Sequence, residues 1–159
     1  MLLRRILVPV DFSPCSREAL EYAAELGERL GASVDLLHVW AGIYHRSMEG
    51  EPLMLFAHSE LAKEMETLLE GLEQRGIDAR GRLEVGSPRE AIIRAATDGK
   101  YDLIIMGTHG RTGLAHLFLG SVAESVFRHA PCPVLTIRET QQPFVEADSE
   151  KSIPPEERP

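Results

Sequence analysis

The sequence predicts an α/β fold, an open five-stranded parallel sheet with helices on both faces, and three observations carry that prediction. Strand-like runs and amphipathic helical segments alternate from residue 6 to residue 138, strand then helix four times, with a closing strand. The runs at 6–10 and 101–106 are apolar at nearly every position rather than at alternate ones, the pattern of strands covered on both sides. The first helix returns to the second strand through a very short loop, which makes a parallel unit with a right-handed crossover.

Ile6, Leu7, Val8, Pro9 and Val10 form the first strand. Pro9 cannot donate to a ladder, so it belongs near the strand's end. Ser13 followed by Pro14 reads as an N-cap and first helical residue. Ala19, Leu20, Ala23, Ala24, Leu26 and Leu30 then give that helix an apolar face up to Gly31. Residues 33–40 make the second strand, and 41–52, with Gly42, Gly50 and Pro52, read as irregular. From about residue 53 to 74, Leu61, Met65, Leu68, Leu69 and Leu72 recur at helical spacing, and Gly76 is placed to end the helix. Residues 79–85 alternate weakly and suit an edge strand. Ser87 and Glu90 spell a capping box around Pro88, so a third helix runs to about Asp98. Residues 98–100 read as a turn and 101–106 as the fourth strand. A fourth helix begins near Ser121, and Pro131 and Pro133 force an extended entry into a fifth strand from Val134 to Arg138.

Composition narrows the function classes. With 159 residues and 43% apolar content, the chain fits one domain with one core, expected over 1–138. Residues 139–159 are rich in Glu and Pro and are expected to be a mobile acidic tail. The formal charge of −8 disfavours a nucleic-acid binder, which needs a basic face. Cys15 and Cys132 are too few for a disulfide framework and read as free thiols in a reducing compartment. No run approaches the ~20 apolar residues that span a bilayer. Asp11 cuts short the apolar run after Arg4 and Arg5 that would otherwise imitate a signal peptide. The expected setting is the cytoplasm, without a membrane partner.

The chemistry gathers where the fourth strand meets the fourth helix: Met106, Gly107, Thr108, His109, Gly110, Arg111, Thr112 and Gly113, then Gly120, Ser121, Val122 and Ala123. Glycines in such a connection let backbone N–H groups approach an anion. The first turn of the helix adds unpaired N–H groups and the positive end of its dipole. Ser121 adds a hydroxyl donor and Arg111 a permanent charge. Glycine-rich turns also arise for steric reasons alone, so the spacing by itself leaves a plain turn open. The composite of Gly107, Gly110, a gap of nine residues, then Gly120 and Ser121 is more specific. Asp11 ends the first strand, where open α/β sheets bind ligands, and suits ribose hydroxyls; a turn or cap role is the alternative.

With that composite pattern the chain resembles the ATP-binding branch of the universal stress protein family. Residues 6–11 look like the family's opening strand, and 125–137 like its closing helix and strand. The resemblance covers roughly residues 3 to 138. It implies a Rossmann-like fold, of the adenine-nucleotide alpha-hydrolase type, with strand order 3-2-1-4-5. That order sets the ends of strands one and four side by side, so Asp11 and the glycine stretch would flank one crevice. Val39 and Met106, at the ends of neighbouring strands, offer apolar walls for a base, and the resemblance further implies adenine near Pro9, Val10 and Val39. Phosphates would lie along residues 107–113 and 121–123, and the N–H of Gly120 would join those of Ser121 and Val122. ATP is the implied ligand, with Mg²⁺ or Mn²⁺ carried on its phosphates rather than in a protein cage.

No catalytic residue is assigned. The chain lacks a Gly-x-x-x-x-Gly-Lys-[Ser/Thr] loop, so rapid phosphoryl transfer is without its usual parts. His109 and His116 are read as loop residues rather than as bases. The histidines at 38, 45, 58, 109, 116 and 129 show no zinc spacing. The expectation is an ATP-binding regulator of stress responses whose occupancy shifts conformation or association. A slow ATPase or nucleotidyl-transferring enzyme, and a dimeric module without nucleotide, stay open beside it. The fifth strand is an expected edge, and the resemblance implies a homodimer through it, with the protein partner unknown.

Overall fold

The computed structural model describes residues 2–40, 54–108 and 119–138, with side chains in the second segment described from residue 59. The elements are β1 (Arg5–Pro9), α1 (Pro14–Leu30), β2 (Ser33–Trp40), α2 (Met54–Gln74), β3 (Ala79–Val85), α3 (Pro88–Gly99), β4 (Leu103–Gly107), α4 (Ser121–His129) and β5 (Val134–Ile137). All strand pairs are parallel, and the sheet order is β3-β2-β1-β4-β5. The predicted fold class and strand order therefore both hold.

Strand alternation divides the core between the two faces of the sheet. Ile6, Val8, Val34, Leu36 and Ile105 pack with Ala19, Leu20, Ala23 and Ala24 of α1 and Met65 and Leu72 of α2. Leu7, Leu37, Ile104 and Met106 point the other way, onto Ile92, Ala95 and Ala96 of α3 and Ala123 and Val126 of α4. Covering on both faces explains why β1 and β4 read as continuous apolar runs. β3 and β5 form the two edges. β3 is mostly exposed, as its weak alternation predicts, with Arg94 of α3 paired to Glu84 at 2.6 Å.

The amino-terminal ends of the strands are tied by a polar cluster. The Tyr101 hydroxyl donates to Asp35 Oδ2 at 2.6 Å, and Arg5 reaches the same oxygen at 2.8 Å. The Arg5 guanidinium also stands 4.5 Å over the Tyr101 ring. Burial, then the neighbouring Asp35 carboxylate, pushes the Tyr101 phenol up to about 12. Asp102 Oδ2 accepts the N–H groups of Arg4 and Arg5, which hold its carboxyl below the usual range.

Three local expectations need correction. Ser87 is the N-cap of α3, but its side chain makes no capping bond, so the predicted box is not formed. Residues 98 and 99 belong to α3, which ends with Lys100 in the left-handed conformation, its N–H bonded to the carbonyls of Ala96 and Thr97. β4 starts two residues later than predicted and includes Gly107, because its pairing begins at Leu103 opposite Ile6 of β1 and ends at Gly107 opposite Ile137 of β5.

Candidate functional site

A cavity of about 220 Å³ opens at the carboxyl ends of β1 and β4. These neighbouring strands carry the reversal of winding direction, the place where open α/β sheets hold ligands. Its wall at the end of β1 is Pro9, Val10 and Asp11; from β2, Leu37 and Val39; at the end of β4, Met106, Gly107 and Thr108. The first turn of α4 contributes Ser121, Val122 and Ala123 behind Gly120. His109, Gly110, Arg111, Thr112 and Gly113 lie outside the described residues, as does His116. Every other predicted site residue lines this one cavity.

The Asp11 side of the cavity is a turn built from several polar contacts. Asp11 Oδ1 accepts both the N–H and the hydroxyl of Ser13, at 3.1 and 2.6 Å. Ser13 in turn caps α1 through the N–H of Ser16. The turn role that sequence left open for Asp11 is thus real, and it coexists with a place on the cavity wall. Phe12, between them, has φ of 64°, a conformation rare for a bulky residue. Among the described residues lining the cavity, Asp11 is the one acidic side chain.

On the opposite side, α4 begins with Gly120, which has no side chain to satisfy the first helical turn. The first intrahelical bond is Glu124 N–H to the Gly120 carbonyl at 2.8 Å. The N–H groups of Ser121, Val122 and Ala123 precede it, where an α-helix offers no internal acceptor. N–H groups at a helix start, with the positive end of the dipole, can accommodate an anion.

One glycine acts differently from expectation, and a second has a steric role besides the expected one. Gly120 N–H donates to the Thr108 carbonyl at 2.8 Å, so it is committed to the chain and does not join the phosphate-facing donors. Gly107, read as letting the chain pass close to phosphates, lines the cavity. A Cβ added there would also lie 2.8 Å from Cys15 Sγ and 3.1 Å from the Cys15 carbonyl carbon. Close approach of α1 to β4 is reason enough for glycine at that position.

Ser16, Leu37, Pro88 and Ile92 also line the cavity and were not singled out by sequence. Two of them had a legible signal. Leu37 shares a strand face with Val39, two residues on. Ile92 follows Pro88 by one helical turn at the start of a helix that leaves the same edge of the sheet. Ser16 had none, since it looks like any residue in the first turn of α1.

Several known proteins are similar to this chain. The profile of the universal stress protein family matches residues 3–138. Universal stress protein MJ0531 of Methanocaldococcus jannaschii is 32% identical over 151 residues, spanning 89% of this chain and 85% of that protein. The solved structure of MJ0577 from the same organism gives a TM-score of 0.80 at 33% identity, covering 89% of this chain and 100% of that one. The universal stress protein of Archaeoglobus fulgidus in complex with dAMP shares the fold, with a TM-score of 0.64, 24% identity, and coverage of 86% and 99%. By profile, sequence and fold together, the chain belongs to the universal stress protein family.

Proposed function

We propose that this protein binds ATP in the cavity between β1 and β4, and that occupancy regulates its conformation or association rather than driving rapid hydrolysis. The observation that carries the reading is the convergence, in one cavity, of a carboxylate and an uncapped helix N-terminus across an apolar wall. That distribution matches the parts of a nucleotide. Leu37, Val39 and Ile92 offer an apolar surface for the base, and Asp11 accepts hydrogen bonds from ribose hydroxyls. The N–H groups of residues 121–123 and the Ser121 hydroxyl donate to phosphate oxygens. Mg²⁺ or Mn²⁺ would add charge neutralisation on the phosphates, with no protein cage required. A related fold has been solved with dAMP, although at that identity it speaks for the fold, and the ligand assignment rests on this chain's own residues.

A regulatory output has a physical route in the chain. Thr108, on the cavity wall, donates its N–H to the Ile137 carbonyl at 2.8 Å and accepts from Gly120. The Cys15 thiol reaches the same Ile137 carbonyl at 3.3 Å. Ligand at α4 and Thr108 therefore bears on the end of β5, an edge strand with Leu135 39% exposed. We take β5 as the contact of a homodimer, since an apolar open edge favours strand pairing. The proposed setting is the cytoplasm, where both unpaired cysteines would stay reduced.

Calorimetric titration of nucleotide-stripped protein with ATP and Mg²⁺, run beside a phosphate-release assay, tests the reading. Saturable binding that Asp11→Asn weakens, with negligible turnover, is the expected result. Absence of binding would leave a dimeric interaction module without nucleotide, and sustained turnover would make the protein an ATPase.

A further inference from the structure

The turn between β1 and α1 holds a combination that nucleotide binding has not yet used. Phe12 is one of two described non-glycine residues with positive φ. The other, Lys100, ends a helix, where that conformation is ordinary. Phe12 is interior to α1 and β1, only 8% exposed, and its ring lies 4.6 Å from that of His38 at 35°. His38 is itself buried, and its Nδ1 stands 2.7 Å from the Val10 carbonyl. A carbonyl only accepts, so Nδ1 carries the proton in this contact. On β2, Leu37 and Val39 face the cavity, and the alternation of side chains turns His38 to the α1 side. The imidazole therefore sits behind the turn whose front presents Val10 and Asp11 to the ligand.

We infer that His38 is a positioning residue for the nucleotide: by donating to the Val10 carbonyl it fixes the turn that aims the Asp11 carboxylate, without touching the ligand. The inference rests on the ATP reading proposed above. Three restraints converge on four residues. Val10 N–H continues the ladder to the Leu37 carbonyl at 2.9 Å, its own carbonyl is held by His38, and Ser13 is held by Asp11 Oδ1. A residue forced to positive φ stays there only while its surroundings over-determine it. Without the imidazole, Phe12 loses its ring partner and the Val10 carbonyl its donor, and the turn can relax toward ordinary φ. Relaxation would swing Asp11 away from the ribose hydroxyls while leaving the α4 end of the cavity intact. The consequence is a loss of discrimination at the sugar.

The test compares wild type with His38→Phe, which keeps an aromatic ring but has no donor, and His38→Asn, which restores an amide N–H near the place of Nδ1. Affinities for ATP and for 2′,3′-dideoxyATP are measured by calorimetry, and exchange of the Ser13 amide by NMR without ligand. His38→Phe should weaken ATP about tenfold, shrink the preference for ATP over the dideoxy analogue by a similar factor, and speed Ser13 exchange. His38→Asn should recover most of each loss. A general loss of stability would weaken both nucleotides alike, so the ratio separates positioning from mere support. The inference is overturned if His38→Phe keeps the wild-type ratio, or if His38→Asn is no better than His38→Phe. Should wild type bind neither nucleotide, the ATP reading fails by itself, and unchanged Ser13 exchange in His38→Phe then refutes the positioning role separately. If His38→Phe does not fold, His38→Leu, which also lacks a donor, is put through the same measurements against the same criteria.

Discussion

Replacing Gly120 with aspartate should raise stability and weaken nucleotide binding together, because the same N–H groups would serve both ends. Gly120 has φ −57° and ψ 149°, an extended conformation that any L-residue adopts, so the substitution carries no backbone strain. An aspartate at this N-cap accepts an N–H from the first turn of α4 and places a negative charge at the positive end of the dipole. Relative to glycine, cap and charge together contribute about 0.5–1 kcal/mol, or about 1–4 °C in Tm for a chain of this size. The same carboxylate would face the phosphates. Unit charges about 4 Å apart at an effective dielectric of about 20 repel by ~4 kcal/mol. Screening and side-chain movement reduce this to roughly 2–3 kcal/mol, or about 30- to 150-fold in Kd. Gly120→Asn caps without the charge and should cost only the withdrawn donors, about three- to tenfold. Calorimetry with ATP and Mg²⁺, paired with thermal melts, reads both quantities. An aspartate variant that binds ATP within about threefold of wild type would refute the placement of phosphates at α4.

Four further outcomes rest on packing and charge. Tyr101 has its folded pKa raised to about 12 by burial and by Asp35. Its share of stability is therefore complete below pH ~10 and is lost as pH rises through about 12. Tyr101→Phe should remove that alkaline limb from urea unfolding curves and cost about 1–2 kcal/mol at neutral pH. Gly107→Ala forces a Cβ against Cys15 backbone and should destabilise by about 1–3 kcal/mol. Gly81→Ala brings its Cβ to 2.7 Å from Cγ of the buried Met65, which must repack, and should destabilise by about 1–3 kcal/mol in the same unfolding assay. Leu135→Lys puts a charge on the open β5 edge, and sedimentation should report monomers; unchanged dimers would exclude this edge as the contact.

Much of the fold was legible because its signals are local. Ser13 and Pro14 mark the start of α1, and Ser13 does cap it. The apolar run at residues 6–10 announces a strand covered on both faces, and Ile6, Leu7 and Val8 are fully buried. The glycine spacing and Asp11 pointed to the cavity that they flank, but only through an assumed strand order. Nothing within residues 6–11 or 103–107 states that β1 lies beside β4 across almost a hundred positions of chain.

What the sequence determined by itself was therefore the set of elements, their covered faces and the chemical kinds gathered at two strand ends. Those follow from periodicity and capping, which act over three or four residues. Tertiary structure alone decided which backbone groups are spent. Gly120 N–H is taken by Thr108, Gly107 is small because Cys15 lies against it, and the Ser87 side chain does not cap α3. It also set His38 behind the Asp11 turn, on the face away from the cavity. The physical reason is common to all four: a donor, a close contact or a buried ring acquires its partner only when packing brings distant segments within a few ångströms, and local pattern does not encode that distance.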